Sequence, residues 1–353
     1  MDDGQQITNR RRLFPEVVME AYIKAISYYL PEKVVTNEDL VKEFPEWTVE
    51  KIAGKVGVSE RHVAAEDETA GDMAGKAAEL MLSEYGIDRK EIDFLILCTQ
   101  SPDYFLPPTA CLLQSRLGLS NKCGAFDIDL GCSGYEYGLA VAKGLLAGGI
   151  AKNVLLLTAE TYNKKIHPRD KGNRTIFGDA ATATLISSDG FAKIGEFVLG
   201  TDGSGASDLI EKTGGFRAKA PAKDLVTDEN GNPHSSDHLF MDGKSIFDFT
   251  ADVVPDMVAE TLDKNGLSDA DVNLYVFHQA NRYMINYLRK LMGIDKERFY
   301  VYLDNVGNTV SSTIPIALKE AQKEGRLTGN VVLAGFGVGL SYGATILFVD
   351  YVE

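Results

Sequence analysis

Residues 86–98, GIDRKEIDFLILC, and residues 266–278, GLSDADVNLYVFH, follow one pattern: a glycine, a short polar turn, and a hydrophobic run ending in Cys98 or His278. The second copy lies 180 residues after the first, counted from 98 to 278. Three more pairs follow in the same order. FDIDLGCS (126–133) matches YLDNVGNT (302–309), which sets Cys132 over Asn308 at an offset of 176 residues. KNVLLLTAE (152–160) matches GNVVLAGFG (329–337) at an offset of 177, and ATATLIS (181–187) resembles GATILFV (343–349). Matches that recur in order at a nearly constant offset indicate an internal duplication. The boundary falls near residue 190, giving related halves at 19–190 and 191–353. Residues 1–18 read as an extension before the first strand-like segment, Met19–Tyr29.

Each half alternates helical patterns with short apolar runs. In the first, helices are predicted at 71–85, 108–117 and 133–147, with strands at 92–98, 124–130, 153–158 and 181–187. This alternation predicts an α/β fold, and uninterrupted apolar runs such as FLILC suit strands covered on both faces. Two such halves packed about a pseudo-twofold axis bring equivalent strand ends together. Cys132, His278 and Asn308 all follow such strands and are expected at one site.

Composition narrows the function. The chain has 353 residues, 44% of them hydrophobic and 25% charged, as in an ordinary globular protein. No apolar run reaches the roughly 20 residues of a membrane span, and the polar start, MDDGQQITNRRRLFPE, is unlike a secretory signal, so a cytoplasmic protein is expected. A net charge of −15 without a basic stripe argues against nucleic-acid binding. Four cysteines, Cys98, Cys111, Cys123 and Cys132, lack CxxC spacing and read as reduced thiols. No metal site is expected. Residues 203–240, rich in Gly, Asp and Ser, are too long for a tight connection and read as either a mobile loop or part of a substrate site.

Cys132 stands in DLGCSGYEYGL, at a strand-to-helix turn flanked by glycines that permit close approach. A helix N-terminus favours a thiolate, so Cys132 is the expected nucleophile. His278 opens HQANRYMINYLRKL after an apolar strand, and Asn308 sits in NVGNTVSST, where it also suits a helix N-cap. A thiolate, a neutral His and an Asn amide together suggest acyl transfer, with His and Asn donating hydrogen bonds to a developing oxyanion. An Asn cannot act as a base. The set therefore favours enolate stabilisation over proton abstraction.

With these motifs the sequence resembles the β-ketoacyl-acyl-carrier-protein synthase III family of thiolase-fold condensing enzymes. The resemblance runs from about residue 19 through YYLPEKVVTNEDL, EWTVEKIAGKVGVSERH, the Cys turn, IFGDAATATLIS, HQAN, GNTVSST and GFGVGLSYGATIL. It implies a five-layered αβαβα thiolase fold built from two duplicated halves, and a homodimer. It also implies that an acyl-CoA loads Cys132, after which malonyl-acyl-carrier protein decarboxylates beside His278 and Asn308. Coenzyme A enters as part of the thioester substrate, and no other cofactor is expected.

The resemblance assigns further residues. Backbone N–H groups of Cys132 and Val338 would form the oxyanion hole; Trp47, Lys55, Lys171 and Asn281 would line the coenzyme A channel; and Leu106 in YFLPPT would reach across the dimer into the partner's acyl pocket. Arg282, Arg289 and Lys290 would dock the carrier protein. Lys55 and Lys171 stand where arginines are expected, and lysine keeps the charge without the planar fork. Val338 replaces a glycine, Asp248 replaces a lysine, and Glu136 brings a carboxyl group one helical turn beyond Cys132, facing the pocket or solvent. The competing function is an acyltransferase of a secondary-metabolite pathway, passing the acyl group from Cys132 to an oxygen or nitrogen nucleophile. A non-catalytic partner subunit is disfavoured, because Cys132, His278 and Asn308 are all present.

Overall fold

The structure, a computed structural model, describes residues 20–228 and 231–349. The expected 1–18 extension lies outside them. The first half runs β1 (Tyr22–Tyr29), β2 (Lys33–Thr36), α1 (Asn37–Glu43), α2 (Val49–Val56), β3 (Glu60–Val63), α3 (Ala70–Tyr85), β4 (Phe94–Cys98), α4 (Thr109–Arg116), β5 (Gly124–Ile128), α5 (Gly134–Ala147), β6 (Asn153–Glu160), α6 (Lys171–Arg174) and β7 (Ala180–Ser187). The second runs β8 (Ala192–Thr201), β9 (Leu209–Ile210), β10 (Val226–Thr227), β11 (Pro233–His234), β12 (Phe240–Met241), α7 (Gly243–Lys264), β13 (Leu274–Phe277), α8 (Arg282–Leu291), α9 (Thr313–Lys323), β14 (Gly329–Gly337) and β15 (Ser341–Val349). The predicted elements of the first half start and stop within about two residues of those observed, the usual spread at frayed ends. Helix α3 shows why: Thr69 and Asp72 close a capping box at its start, and Gly86 ends it in the left-handed conformation.

The strands lie in the order β13-β14-β15-β8-β1-β7-β6-β4-β5. This row is two equivalent sheets joined where β1 and β8 pair over two residues. In the first, β5, β4 and β6 are parallel, and β7 and β1 continue antiparallel. In the second, β13 and β14 are parallel, and β15 and β8 continue antiparallel. Phe299 bridges Tyr275 in parallel at the place β5 occupies in the first sheet. Even the irregularity recurs, a register shift between β1 and β7 at Ile23/Ala25 and one between β8 and β15 at Thr345/Leu347. Three of the repeats seen in the sequence fall on equivalent strands, β4 on β13, β6 on β14 and β7 on β15, and the fourth sets the end of β5 and the turn after it over 302–309.

Alternation along each strand separates three cores. On β6, Leu155 and Leu157 face outward onto α3 and α4. Val154 and Leu156 face inward, toward Tyr135, Leu139, Ala142 and Leu146 of α5 and Ile314, Ala317, Leu318 and Ala321 of α9. That inner core also takes Val331 and Leu333 of β14, so α5 and α9 are sandwiched between the two sheets. The far face of the second sheet, with Val332, Ala334 and Phe336, packs on α7 and α8. The result is the five-layered αβαβα arrangement. Among the described residues no helix is long and apolar enough to cross a membrane, and no cluster of His, Cys, Asp or Glu could hold a metal ion.

Candidate active site

Cys132 ends the turn after β5, immediately before Ser133, which caps α5. Strand β14 runs close against it. A Cβ built on Gly337 would lie 2.8 Å from both Cβ and Sγ of Cys132, so only glycine leaves room there. The thiol is buried, with 6% of its surface exposed. This corrects the expectation of a resting thiolate. Burial pushes the thiol up to about 12, against the pull of the Val338 and Cys132 backbone N–H groups, while Glu160 and Glu136 add to the rise. In a site this buried, desolvation of the charged form outweighs the helix terminus.

His278 leaves the end of β13, its own N–H bonded to the Ala334 carbonyl at 2.8 Å. The ring meets Phe336 edge-on with centroids 5.7 Å apart, and Nδ1 lies 2.7 Å from Oγ1 of Thr313. Burial lowers its pKa to about 3, the Val310 backbone opposing, so the imidazole is neutral near pH 7. Asn308 comes from the loop before α9 and is pinned by the other half of the molecule. Its N–H donates to the Ile176 carbonyl at 2.9 Å, and its carbonyl accepts from Gly178 at 3.0 Å. Gly307 permits that approach: it has φ of +69°, and a Cβ there would sit 2.7 Å from the Ile176 oxygen. The Val310 N–H donates to Asn308 Oδ1 at 2.9 Å, which leaves the Nδ2 amine as the group free to donate.

All three side chains line one cavity of ≈ 130 Å³, with Phe336, Gly337 and Asn281. Leu209 of β9 and Met241 of β12 also line it. These strands pair with each other, so the two ends of the irregular 203–240 region form part of the wall. Val338 turns its side chain away from this space toward Gly131 and Gln100, and it lines a second hollow of ≈ 690 Å³ with Gln100, Tyr162 and Leu209. The non-glycine residues with positive φ among those described are Lys223 and Val310. Val338 therefore holds the L-compatible conformation its sequence position demanded.

The remaining sequence-predicted residues are dispersed. Asn281 caps α8, accepting from the Met284 N–H, and lines the cavity. Trp47, Lys55 and Lys171 do not line it. Lys55 and Lys51 place their ammonium groups 5.7 and 4.9 Å from the Trp47 ring centroid, and Lys171 is ion-paired with Glu46. Of these, Lys55 lies on α2, which ends at Gly57, and the Gly57 carbonyl accepts from Arg282, the residue after Asn281, at 3.2 Å. Arg282 and Lys290 are exposed, whereas Arg289 is half-buried and donates to the Ile294 carbonyl at 2.8 Å. Asp248 is paired with Lys244 at 2.5 Å. Leu106 is 76% exposed. Glu136 faces neither the pocket nor solvent: it is wholly buried, does not line the cavity, and neither carboxyl oxygen has a hydrogen-bond partner. Sequence reasoning missed Val310 and Thr313, since nothing in VSST marks one hydroxyl or one backbone unit among its neighbours.

Duplicated α/β halves that set a cysteine, a histidine and an asparagine around one small cavity define a thiolase-fold condensing enzyme. The profile of 3-oxoacyl-(acyl-carrier-protein) synthase III matches residues 126–203, and that of its C-terminal region matches 262–349. The β-ketoacyl-(acyl-carrier-protein) synthase III of Clostridium perfringens is 36% identical over 322 residues, 90% of this chain and 96% of that protein. A crystal structure of a 3-oxoacyl-(acyl-carrier-protein) synthase III superimposes with a TM-score of 0.91 at 44% identity, covering 94% of this chain and 100% of the other. The Thermus thermophilus enzyme gives 0.83 at 36%, covering 94% and 100%. This chain belongs to the β-ketoacyl-acyl-carrier-protein synthase III family.

Proposed function

We propose that this chain joins an acyl group, taken from acyl-CoA onto Cys132, to malonyl-acyl-carrier protein, giving a 3-oxoacyl-acyl-carrier protein for fatty-acid synthesis. In loading, Cys132 Sγ attacks the thioester carbonyl, the carbon–sulfur bond to coenzyme A breaks, and the thiol proton leaves with the coenzyme A thiol. In condensation, the malonyl carboxylate leaves as carbon dioxide, and its electron pair forms an enolate whose oxygen accepts from His278 Nε2–H and Asn308 Nδ2–H. The enolate carbon attacks the acyl carbonyl; the Cys132 and Val338 N–H groups meet the oxyanion; and collapse expels the Cys132 thiolate, which is reprotonated from water. Charge is thus stabilised by fixed donors in a buried cavity.

The observation that carries this reading is the meeting of Cys132 from one half with His278 and Asn308 from the other on a single cavity, with His278 neutral and the Asn308 amine unspent. It is tested by intact-protein mass spectrometry after incubation with acyl-CoAs, followed by release of carbon dioxide from malonyl-acyl-carrier protein. Cys132→Ser should lose the acyl adduct, because a serine hydroxyl without an activating base is a far weaker nucleophile. Loading without decarboxylation would instead favour the acyltransferase.

Trp47, Lys55, Lys171 and Asn281 would hold the coenzyme A thioester along the route into the cavity, supported by the contact between α2 and α8. A homodimer through β5 is supported by two features. Strand β5 ends its sheet with its residues half-buried, and the adjoining Tyr104, Phe105 and Leu106 are 62%, 69% and 76% exposed. Apolar side chains in so compact an exposed group suit a protein interface. A reducing, cytoplasmic setting agrees with all four cysteines being free.

A further inference from the structure

The two hydrogen-bond donors proposed for the enolate are held by residues that the mechanism does not itself use. Thr313, the first residue of α9, is 2% exposed and sets its hydroxyl 2.7 Å from His278 Nδ1 and 3.1 Å from the Val310 carbonyl. A threonine hydroxyl has one proton to give. Given to the nearer acceptor, it occupies Nδ1 and leaves the ring proton on Nε2, the nitrogen opposite. Given to Val310, which the 3.1 Å contact allows and the pull of the Val310 backbone toward a protonated ring favours, it would leave Nδ1 protonated and Nε2 as a bare acceptor, unable to serve an enolate oxygen.

Val310 ties the other donor to the same arrangement. It has φ of +57°, a costly conformation for a β-branched residue, and such strain persists only where its surroundings impose it. That conformation aims its N–H at Asn308 Oδ1 and its carbonyl at the Thr313 hydroxyl. Val310 is fully buried, and its Cγ1 would lie 3.3 Å from a Cβ built on Gly131, next to Cys132. One strained residue therefore borders the nucleophile's turn and orients the groups facing it.

We propose that Thr313 is a positioning residue that holds His278 as its Nε2–H tautomer, and that the strained Val310 backbone turns the Asn308 amine to the same point, so that both donors meet one oxygen. This rests on the reading of His278 and Asn308 as enolate donors, but the tautomer can be measured without that reading. The ring nitrogens of His278 are observed by NMR on ¹⁵N-histidine-labelled protein, the His278→Ala spectrum identifying its signals among the five histidines. The parent is expected to show a protonated Nε2 and an unprotonated Nδ1. In Thr313→Val, which keeps the shape, that single tautomer is lost, acyl loading on Cys132 stays within about twofold, and malonyl decarboxylation falls on the order of 10- to 100-fold, the loss typical when the hydrogen-bond partner that orients a metal-bound histidine is removed. Thr313→Ser restores both the signal and the rate. An Nδ1–H ring in the parent overturns the proposal, as does parental decarboxylation in Thr313→Val. Equal loss of loading and decarboxylation in Thr313→Val also overturns it, because the residue then supports the fold rather than the ring. If the parent loads acyl groups but never decarboxylates, the functional reading fails, while the ring-nitrogen measurement still decides the tautomer.

Discussion

Gly337 of β14 and Cys132 before α5 approach so closely that a methyl group on the glycine would stand 2.8 Å from the thiol sulfur. The glycine also carries φ of +155°. Strand and nucleophile come from different halves, so the contact fixes the distance between them. In Gly337→Ala either β14 or the Cys132 turn must shift. The expected result is lower thermal stability and at least a tenfold loss of acyl loading, read by intact mass against time; loading at the parental rate would show that the turn can yield.

His278→Ala and Asn308→Ala should separate the two half-reactions. Both groups are assigned to the enolate oxygen, so acyl loading on Cys132 should survive while malonyl decarboxylation falls roughly 10²–10³-fold, the usual loss for one oxyanion donor. Parental carbon dioxide release in either variant would remove that residue from its role.

Carrier docking should depend on few charges. The chain has a net charge of −15, Arg289 is engaged with its own helix end, and Asp248 stands paired with Lys244, so Arg282 and Lys290 remain beside exposed Tyr283. Arg282 is itself drawn to Asp304 at 3.5 Å. Arg282→Glu is expected to raise the KM for malonyl-acyl-carrier protein several-fold, more at low salt, with little change in loading from acetyl-CoA. An equal effect on both substrates would move the dock elsewhere.

Glu136 should make stability fall with pH. Burial holds its carboxyl well above the ordinary value of 4.5, offset only in part by its own backbone N–H. The folded protein therefore keeps a proton that the unfolded chain releases above about pH 4.5, and this group's contribution is fully present below that pH and lost as pH rises. Glu136→Gln removes the dependence. The stability difference between variant and parent, measured by urea unfolding, should move in the variant's favour from pH 5 to pH 8, by up to about 1.4 kcal/mol per pH unit. A constant difference would mean that the carboxyl is not protonated in the fold.

Much of this architecture was legible because its punctuation is local. Glycine, polar turn and apolar run identify β4 and β13 without knowledge of what they touch, and the repeat then sets Cys132 over Asn308. His278 was legible for the same reason, standing at the end of β13 where Cys98 ends β4. What escaped was decided across the fold. The state of Cys132 depends on how much water the opposing β14 excludes, and a helix terminus seen in sequence says nothing of that. The role of Thr313 depends on a 2.7 Å contact with a ring 35 residues away in sequence. A place one helical turn beyond Cys132 offers Glu136 the pocket or solvent in sequence; only the second sheet, with Gly335 and Gly343 leaving a notch for it, shows a third place.

The sandwiching of α5 and α9 between the two sheets has a mechanical consequence. These helices carry the turn of Cys132 and the loop of Asn308 at their N-terminal ends, and both rest on the same inner core. Interiors packed this closely resist sliding, so displacing one sheet against the other would also displace the helices between them. The shared layer therefore ties the position of Cys132 to that of Asn308.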